Sequence, residues 1–216
     1  MARTSKALKP STYKYVLGIL PFVIIIGGQF FPLLGVIMFG CMALAVGISL
    51  FKGRYFCGKL CPRGAFFDTY LRKLSRNKAV PEIFGAVWFR VLWVLFLMGM
   101  MGFRVYRSGG DIYLLGSSMV QMIMMTVVIG VLLGLYYDSR VWCRFCPMGT
   151  MTNWIGGGKD PIAIDAQTCV DCSKCYRVCP MDIRANYYKD TGDVSHSDCI
   201  KCEACVVSCP KKSLSA

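Results

Sequence analysis

At 216 residues, 55% hydrophobic and with a mean hydropathy of +0.49, the chain is too apolar for a soluble domain of its size, whose surface needs many more charges. Its net charge of +13 lies wholly in the apolar part: residues 1–158 carry 17 Lys+Arg against 4 Asp+Glu, whereas residues 159–216 carry 8 of each. That distribution argues against a nucleic-acid footprint, which needs a basic patch on a soluble face, and for bases that flank membrane segments.

The N-terminal tail, residues 1–13, holds Arg3, Lys6 and Lys9. Its charged-then-apolar start is like a signal peptide's, but no small-residue cleavage site follows and the apolar run continues too far, so an anchor is expected. Tyr15 to Phe51 is about twice the roughly 20 residues that cross the hydrocarbon layer. With GGQFFP (Gly27 to Pro32) as a turn, it reads as a helical hairpin, 14–31 and 33–51. A third span is expected over Ile83 to Phe103 and a fourth over Met119 to Tyr137. The 52–81 loop carries eight Lys+Arg and the first hairpin turn none, so the positive-inside rule puts both termini and the middle loop in the cytoplasm. Glycines 35, 40, 47, 99, 102, 130 and 134 read as helix-packing positions, and Trp88, Trp93 and Trp142 as interfacial belts. Arg90 sits near a span end and is expected to snorkel. Cys41, alone in the second span, reads as packing.

After Trp154 the composition changes at GGGKDP, and residues 155–162 read as a linker. The polar unit beyond it, 163–216, repeats itself. CVDCSKCYRVCP (169–180) and CIKCEACVVSCP (199–210) both spell C-x2-C-x2-C-x3-C-P, 30 residues apart. Such a run fits a two-cluster bacterial ferredoxin, in which the fourth cysteine of each run serves the other cluster. The spacing therefore assigns Cys169, Cys172, Cys175 and Cys209 to one 4Fe-4S cluster and Cys199, Cys202, Cys205 and Cys179 to the other. Thirteen cysteines would also suit a secreted disulfide scaffold, but these spacings and the apolar chain do not. Pro180 and Pro210 should turn the chain away after the last ligand. Lys174, Arg177 and Lys201 are open to two readings, an acidic-partner surface or plain solvated charge.

Two more pairs lie at span ends: YFCGKLCPRGAF (55–66) and WCRFCPMGTM (142–151). Each is closed by proline with glycine two residues later, and the topology brings both to one membrane face. Four thiols there, Cys57, Cys61, Cys143 and Cys146, suit a third metal or iron-sulfur centre. Redox-active or structural thiols, and plain packing by a small hydrophobe, remain alternatives.

Four spans, C-x3-C-P in the middle loop, C-x2-C-P after the last span and a terminal two-cluster module together resemble the NapH-type membrane quinol dehydrogenases, a family of 4Fe-4S polyferredoxin membrane proteins. The second motif is one residue shorter than the family's usual C-x3-C-P. The resemblance implies an iron-sulfur protein of the cytoplasmic membrane, its cysteine motifs on the cytoplasmic side, that exchanges electrons with the quinone pool and a dedicated redox partner (a cytochrome, flavoprotein or iron-sulfur protein). Its part would be a quinol dehydrogenase component.

The single histidine, His196, lies outside the spans and reads as a surface residue, so no bis-histidine haem can form between the helices. No C-x-x-C-H site or nucleotide-binding glycine fingerprint occurs. Tyr106, Tyr113, Gln121, Tyr136 and Tyr137 would offer polar handles to a quinone, although aromatic belts account for the tyrosines. The expected fold is an α-helical membrane domain (14–154) of four transmembrane helices followed by an α+β two-cluster ferredoxin-like domain. Its expected function is to relay electrons between quinone and a partner. The alternatives are a non-catalytic wiring subunit of a respiratory or photosynthetic complex, or a redox-sensing or assembly protein.

Overall fold

The computed structural model describes residues 12–215, so Arg3, Lys6 and Lys9 of the tail lie outside the described residues. Four helices among the described residues are long and apolar enough to cross a membrane. Helix α1 (Thr12–Phe30) ends where Pro32 opens a single 3-10 turn, Pro32–Val36, that leads into α2 (Ile37–Lys52). A short helix α3 (Pro62–Phe66) follows in the middle loop. Helix α4 (Val87–Ser108) and helix α5 (Ile112–Tyr136) form the second hairpin. The outer faces of the four long helices carry exposed Phe30, Phe51, Val87, Leu95 and Leu132, an apolar surface that suits lipid and not water.

The second hairpin differs from its sequence expectation. Residues 82–85 form a 3-10 turn, so α4 begins at Val87 and runs on through Arg104 and Arg107, expected in the following loop. The break falls at Gly109, whose φ of 56° only glycine adopts cheaply. Asp111 then caps α5 by accepting a hydrogen bond from the Tyr113 N–H at 2.9 Å. Charge suggested the end of the span, but turn chemistry sets it.

Of the seven span glycines, Gly35, Gly130 and Gly134 sit where a Cβ would press on a neighbour, while Gly40, Gly47, Gly99 and Gly102 face open space. The tightest approach within the spans joins the two hairpins. A Cβ on Gly35 would lie 2.2 Å from the Gly116 carbonyl oxygen, and one on Gly116 would lie 2.1 Å from that of Pro32. Gly116→Ala is expected to destabilise the helical half by about 1–3 kcal/mol, read as a lower unfolding midpoint in detergent. An unchanged midpoint would refute this packing.

The core of the helical half lies toward the cysteine motifs: Phe67, Leu71, Leu97, Val141, Trp142 and Phe145 are all buried. Trp93 stacks edge-on against Trp142 and Phe145, so these two tryptophans are core residues rather than a belt; Trp88 is exposed.

Helix α6 (Pro147–Gly156) leads into a three-stranded antiparallel sheet ordered β2-β1-β3, with β1 Ile162–Ile164, β2 Asp193–Val194 and β3 Leu214–Ser215. Between the strands lie two one-turn helices, α7 (Lys174–Val178) and α8 (Ala204–Ser208). The glycine-rich stretch before β1 is packed. A Cβ on Gly156 would lie 1.8 Å from the Ser49 carbonyl oxygen, at the end of α2.

Candidate metal centres

In the C-terminal unit the 30-residue sequence repeat is also a backbone repeat. Asp171 and Lys201, Ser173 and Glu203, and Asp182 and Lys212 pair across it, each with φ between 52° and 61°. Left-handed residues other than glycine are uncommon. Set among right-handed neighbours, they turn successive N–H groups toward one concavity suited to an anion. Cys179 and Cys209, each held extended by the proline that follows, share φ −74° with ψ 118° and 117°. Pro180 and Pro210 then open turns.

Two small cavities result. One, of ≈ 20 Å³, is lined by Cys169, Cys172, Cys175 and Cys209; the other, of ≈ 30 Å³, by Cys179, Cys199, Cys202 and Cys205, with Cys175 on its wall as well. The fourth cysteine of each run thus stands with the other run's first three. Burial, then the neighbouring Cys202, pushes the Cys179 thiol up to about 12, and burial raises Cys205 also. A thiolate there needs a cation beside it. Among the described residues no three His, Cys, Asp or Glu side chains are grouped to hold a single ion; the four-cysteine sets ring a void instead. Four thiols around a void, with amides turned inward (the Ile183 N–H reaches Cys179 Sγ at 3.4 Å), fit an iron-sulfur cubane.

The two helical-half motifs obey one plan with one difference. In both, the second cysteine is extended (Cys61 ψ 117°, Cys146 ψ 131°) and the proline takes the first position of the next helix, α3 or α6, which its fixed φ favours. The first motif absorbs its extra residue in a π turn, with the Cys61 N–H donating to the Phe56 carbonyl five residues back. The second closes an ordinary α turn, Cys146 to Trp142. The unequal spacings therefore deliver equivalent cysteines.

Two arginines brace the motifs crosswise. Arg54, three residues before Cys57, donates from Nη2 to the Cys143 carbonyl at 2.7 Å; Arg140, three before Cys143, donates from Nη1 to the Cys57 carbonyl at 2.9 Å and to Cys143 Sγ at 3.5 Å. Both are almost fully buried, 2% and 1% exposed. The motif glycines make the room: a Cβ on Gly64 would lie 2.8 Å from Arg140 Nη1, and one on Gly149 2.6 Å from Arg54 Nη2. Arg140 also holds Asp68 with two bonds of 2.8 and 2.7 Å. Burial alone would raise the Asp68 carboxyl, but Arg140 and Lys14 keep it below its ordinary value. Cys57, Cys61, Cys143 and Cys146 all line one cavity of ≈ 170 Å³. Burial, then Cys57, pushes the Cys61 thiol up to about 12.

The C-terminal unit is locked onto these motifs. Asp198, beside Cys199, accepts from Arg54 Nη1 at 2.8 Å, from both Arg90 Nη atoms at 2.8 Å and from Asn153 Nδ2 at 2.6 Å. Arg90 therefore reaches a half-buried carboxylate, not the lipid headgroups. Lys59 pairs with Glu203 and Arg144 with Asp182. Gly58 lies so close to the next cysteine loop that a Cβ would stand 1.9 Å from the Ile200 carbonyl oxygen. Cys57 and Cys143 pack into the same apolar cluster as Cys199 and Cys202. Lys201, read as surface charge, is buried and paired with Asp160 at 3.2 Å, so it offers no docking charge. His196 accepts the Asp198 N–H at 3.1 Å.

The suggested quinone handles lie elsewhere: Tyr106, Tyr113, Gln121, Tyr136 and Tyr137 are all absent from the cavity wall. Cys41, in contrast, is part of it. What sequence reading missed is the arginine three residues before each first cysteine, a signal visible as R-x-x-C in both motifs.

A family model described as a 4Fe-4S binding domain matches residues 34–81 and 120–162, one segment around each helical-half motif. A 4Fe-4S dicluster domain matches residues 161–210. Ferredoxin-type protein NapH of Haemophilus influenzae is 26% identical over 191 residues, covering 81% of this chain and 66% of NapH. These matches make the chain similar to the NapH-type polyferredoxins. Another relative, uncharacterized protein MJ0749 of Methanocaldococcus jannaschii, is 27% identical over 177 residues, 80% of this chain and 68% of its own. A third, putative electron transport protein YccM of Escherichia coli, is 32% identical over 77 residues, 34% of this chain and 20% of YccM. No solved structure matches. With two 4Fe-4S family domains, four apolar helices and electron-transport relatives, the chain is an iron-sulfur electron-transfer protein of a membrane, with 4Fe-4S clusters and redox partners.

Proposed function

We propose that the protein relays electrons between the membrane quinone pool and a partner redox protein, through three cysteine sites in line. One quinol gives two electrons to the partner and two protons to water at the membrane face, or the reverse. Cys169, Cys172, Cys175 and Cys209 hold one 4Fe-4S cluster, Cys199, Cys202, Cys205 and Cys179 the second, and Cys57, Cys61, Cys143 and Cys146 a third centre. Such clusters supply one-electron transfer. Residues 163–216 act as an α+β ferredoxin-like domain, 14–154 as the membrane domain and 155–162 as the joint between them. The termini, the middle loop and the C-terminal unit lie on the cytoplasmic side of the cytoplasmic membrane, which the eight bases of residues 52–81 support. The partner is a cytochrome, flavoprotein or iron-sulfur protein.

The observation that carries this reading is contiguity. Cys57 and Cys143 share an apolar cluster with Cys199 and Cys202, while Cys175 lines both C-terminal cavities. Around the third site, Arg54 and Arg140 lean on the cysteine carbonyls and Arg63 lines the cavity, a cationic setting that favours an anionic thiolate centre. The chain's residues thus position, brace and desolvate the thiols.

Iron and acid-labile sulfide per chain test it. About twelve irons are expected in anaerobically purified protein and about eight in a Cys57→Ser, Cys143→Ser variant, at four per cubane. Eight in both would remove the third centre and leave a two-cluster protein.

A further inference from the structure

The cavity at the helical-half cysteines is larger than four cysteines need. The four-cysteine cavities of the C-terminal unit measure ≈ 20 and ≈ 30 Å³, this one ≈ 170 Å³. Its wall runs from the cysteines along α2 past Ala45 to Met38, about 10 and 21 Å from the helix end at Lys52, at 1.5 Å per residue. Met42, Met101 and Met119 line the same stretch, and methionines adapt their shape to a guest. An apolar cavity of about 150 Å³ elsewhere stays dry and takes up benzene. This one has room for a six-membered ring beyond whatever the cysteines hold.

One donor on its wall lacks an acceptor, and a second lacks a carboxylate partner. Trp142, 1% exposed, has an indole N–H with no hydrogen-bond partner. Arg63 donates from Nη2 to Thr126 Oγ1 at 2.9 Å and lies over the Trp142 ring at 5.4 Å. Among the described residues no carboxylate pairs with it. A buried donor left unmated costs about 1–3 kcal/mol, so a guest that brings an acceptor is favoured.

We infer that this methionine-lined annex is the seat of a quinone ring whose carbonyl oxygen accepts from Trp142 and Arg63. The inference rests on the quinone exchange proposed above and names its site. The guest it selects is flat, apolar and carries acceptor oxygens. The exposed tyrosines at the span ends play no part in it.

The test uses the full chain, anaerobic, in phospholipid vesicles, with radiolabelled decylubiquinone as probe and protein-free vesicles as the partition control. Trp142→Phe is expected to weaken saturable binding about tenfold or more with iron and sulfide per chain unchanged, and Arg63→Gln to weaken it by a similar factor. In the wild-type protein, saturating decylubiquinone is expected to slow alkylation of Cys41 by a membrane-permeant maleimide at least fivefold, a readout that survives should a variant fail to fold. Saturable binding with variant affinities within twofold of wild type, or with Cys41 unprotected, overturns the site and leaves quinone exchange standing. A wild type without saturable binding overturns both. Should Trp142→Phe instead change the electron paramagnetic resonance signal of the reduced protein at unchanged affinity, the indole N–H serves a cysteine sulfur and the site assignment falls.

Discussion

Asp198→Ala is expected to release the C-terminal unit from the helical half. One carboxylate answers two guanidinium groups and an amide, with bonds of 2.6 to 2.8 Å. Burial alone would raise the Asp198 pKa, yet Arg90 and Arg54 hold it below its ordinary value, so it is charged at neutral pH. Its removal strands Arg54, 2% exposed, and half-buried Arg90 without their counter-charge. Breaking a buried pair by deleting one partner costs about 3–5 kcal/mol; here two cations lose their partner together. Limited proteolysis should cut between residues 156 and 162 in the variant and spare the wild type. Spin coupling between the C-terminal clusters and any centre at Cys57 should vanish with it. Equal protease resistance in the two proteins would show that Lys59–Glu203 and the glycine contacts suffice.

Arg140→Gln is expected to be the most damaging single change inside the helical half. Arg140 is 1% exposed and holds three things at once: Asp68, the Cys57 carbonyl and the Cys143 sulfur. Glutamine cannot reproduce the forked geometry, and Asp68 would keep Lys14, at 3.3 Å, and the more distant charge of Arg72. A loss of about 3–5 kcal/mol is expected. The iron count should fall by about four, one cubane's worth, through positioning rather than ligation. Arg140→Lys should restore part of the stability without the full iron count. A variant with wild-type iron would mean that Cys57 and Cys143 hold their places unaided.

The helical spans were legible because membrane length and charge are written in composition: α1 agrees within two residues at each end, and α2 ends one residue from its expected end although a 3-10 turn delays its start to Ile37. The second hairpin was less so, since Gly109, Gly110 and Asp111 set its turn while Arg104 and Arg107 suggested an earlier end. The repeat of cysteines in the C-terminal unit was legible from spacing alone. The part played by arginine was not. Arg54 and Arg140 look like ordinary bases flanking membrane segments, and only the fold shows that each spans to the opposite motif, because their carbonyl partners are about 85 residues away in the chain. Likewise Gly64 and Gly149 were noticed as a pattern, but their reason is a guanidinium that needs the volume of a missing methyl.

Three glycines before Lys159 would ordinarily make a hinge, and a hinge would make the C-terminal unit a swinging arm. Gly156 pressed on Ser49, Gly157 close to Asn153 and Ser197, and the Asp198 anchor beyond them turn that stretch into a weld. In the relay proposed above, charge crossing from bilayer to unit then waits on no diffusive excursion. Its rate answers to separation and driving force alone, and thickening the solvent with glycerol should leave the internal crossing untouched while slowing the partner's arrival.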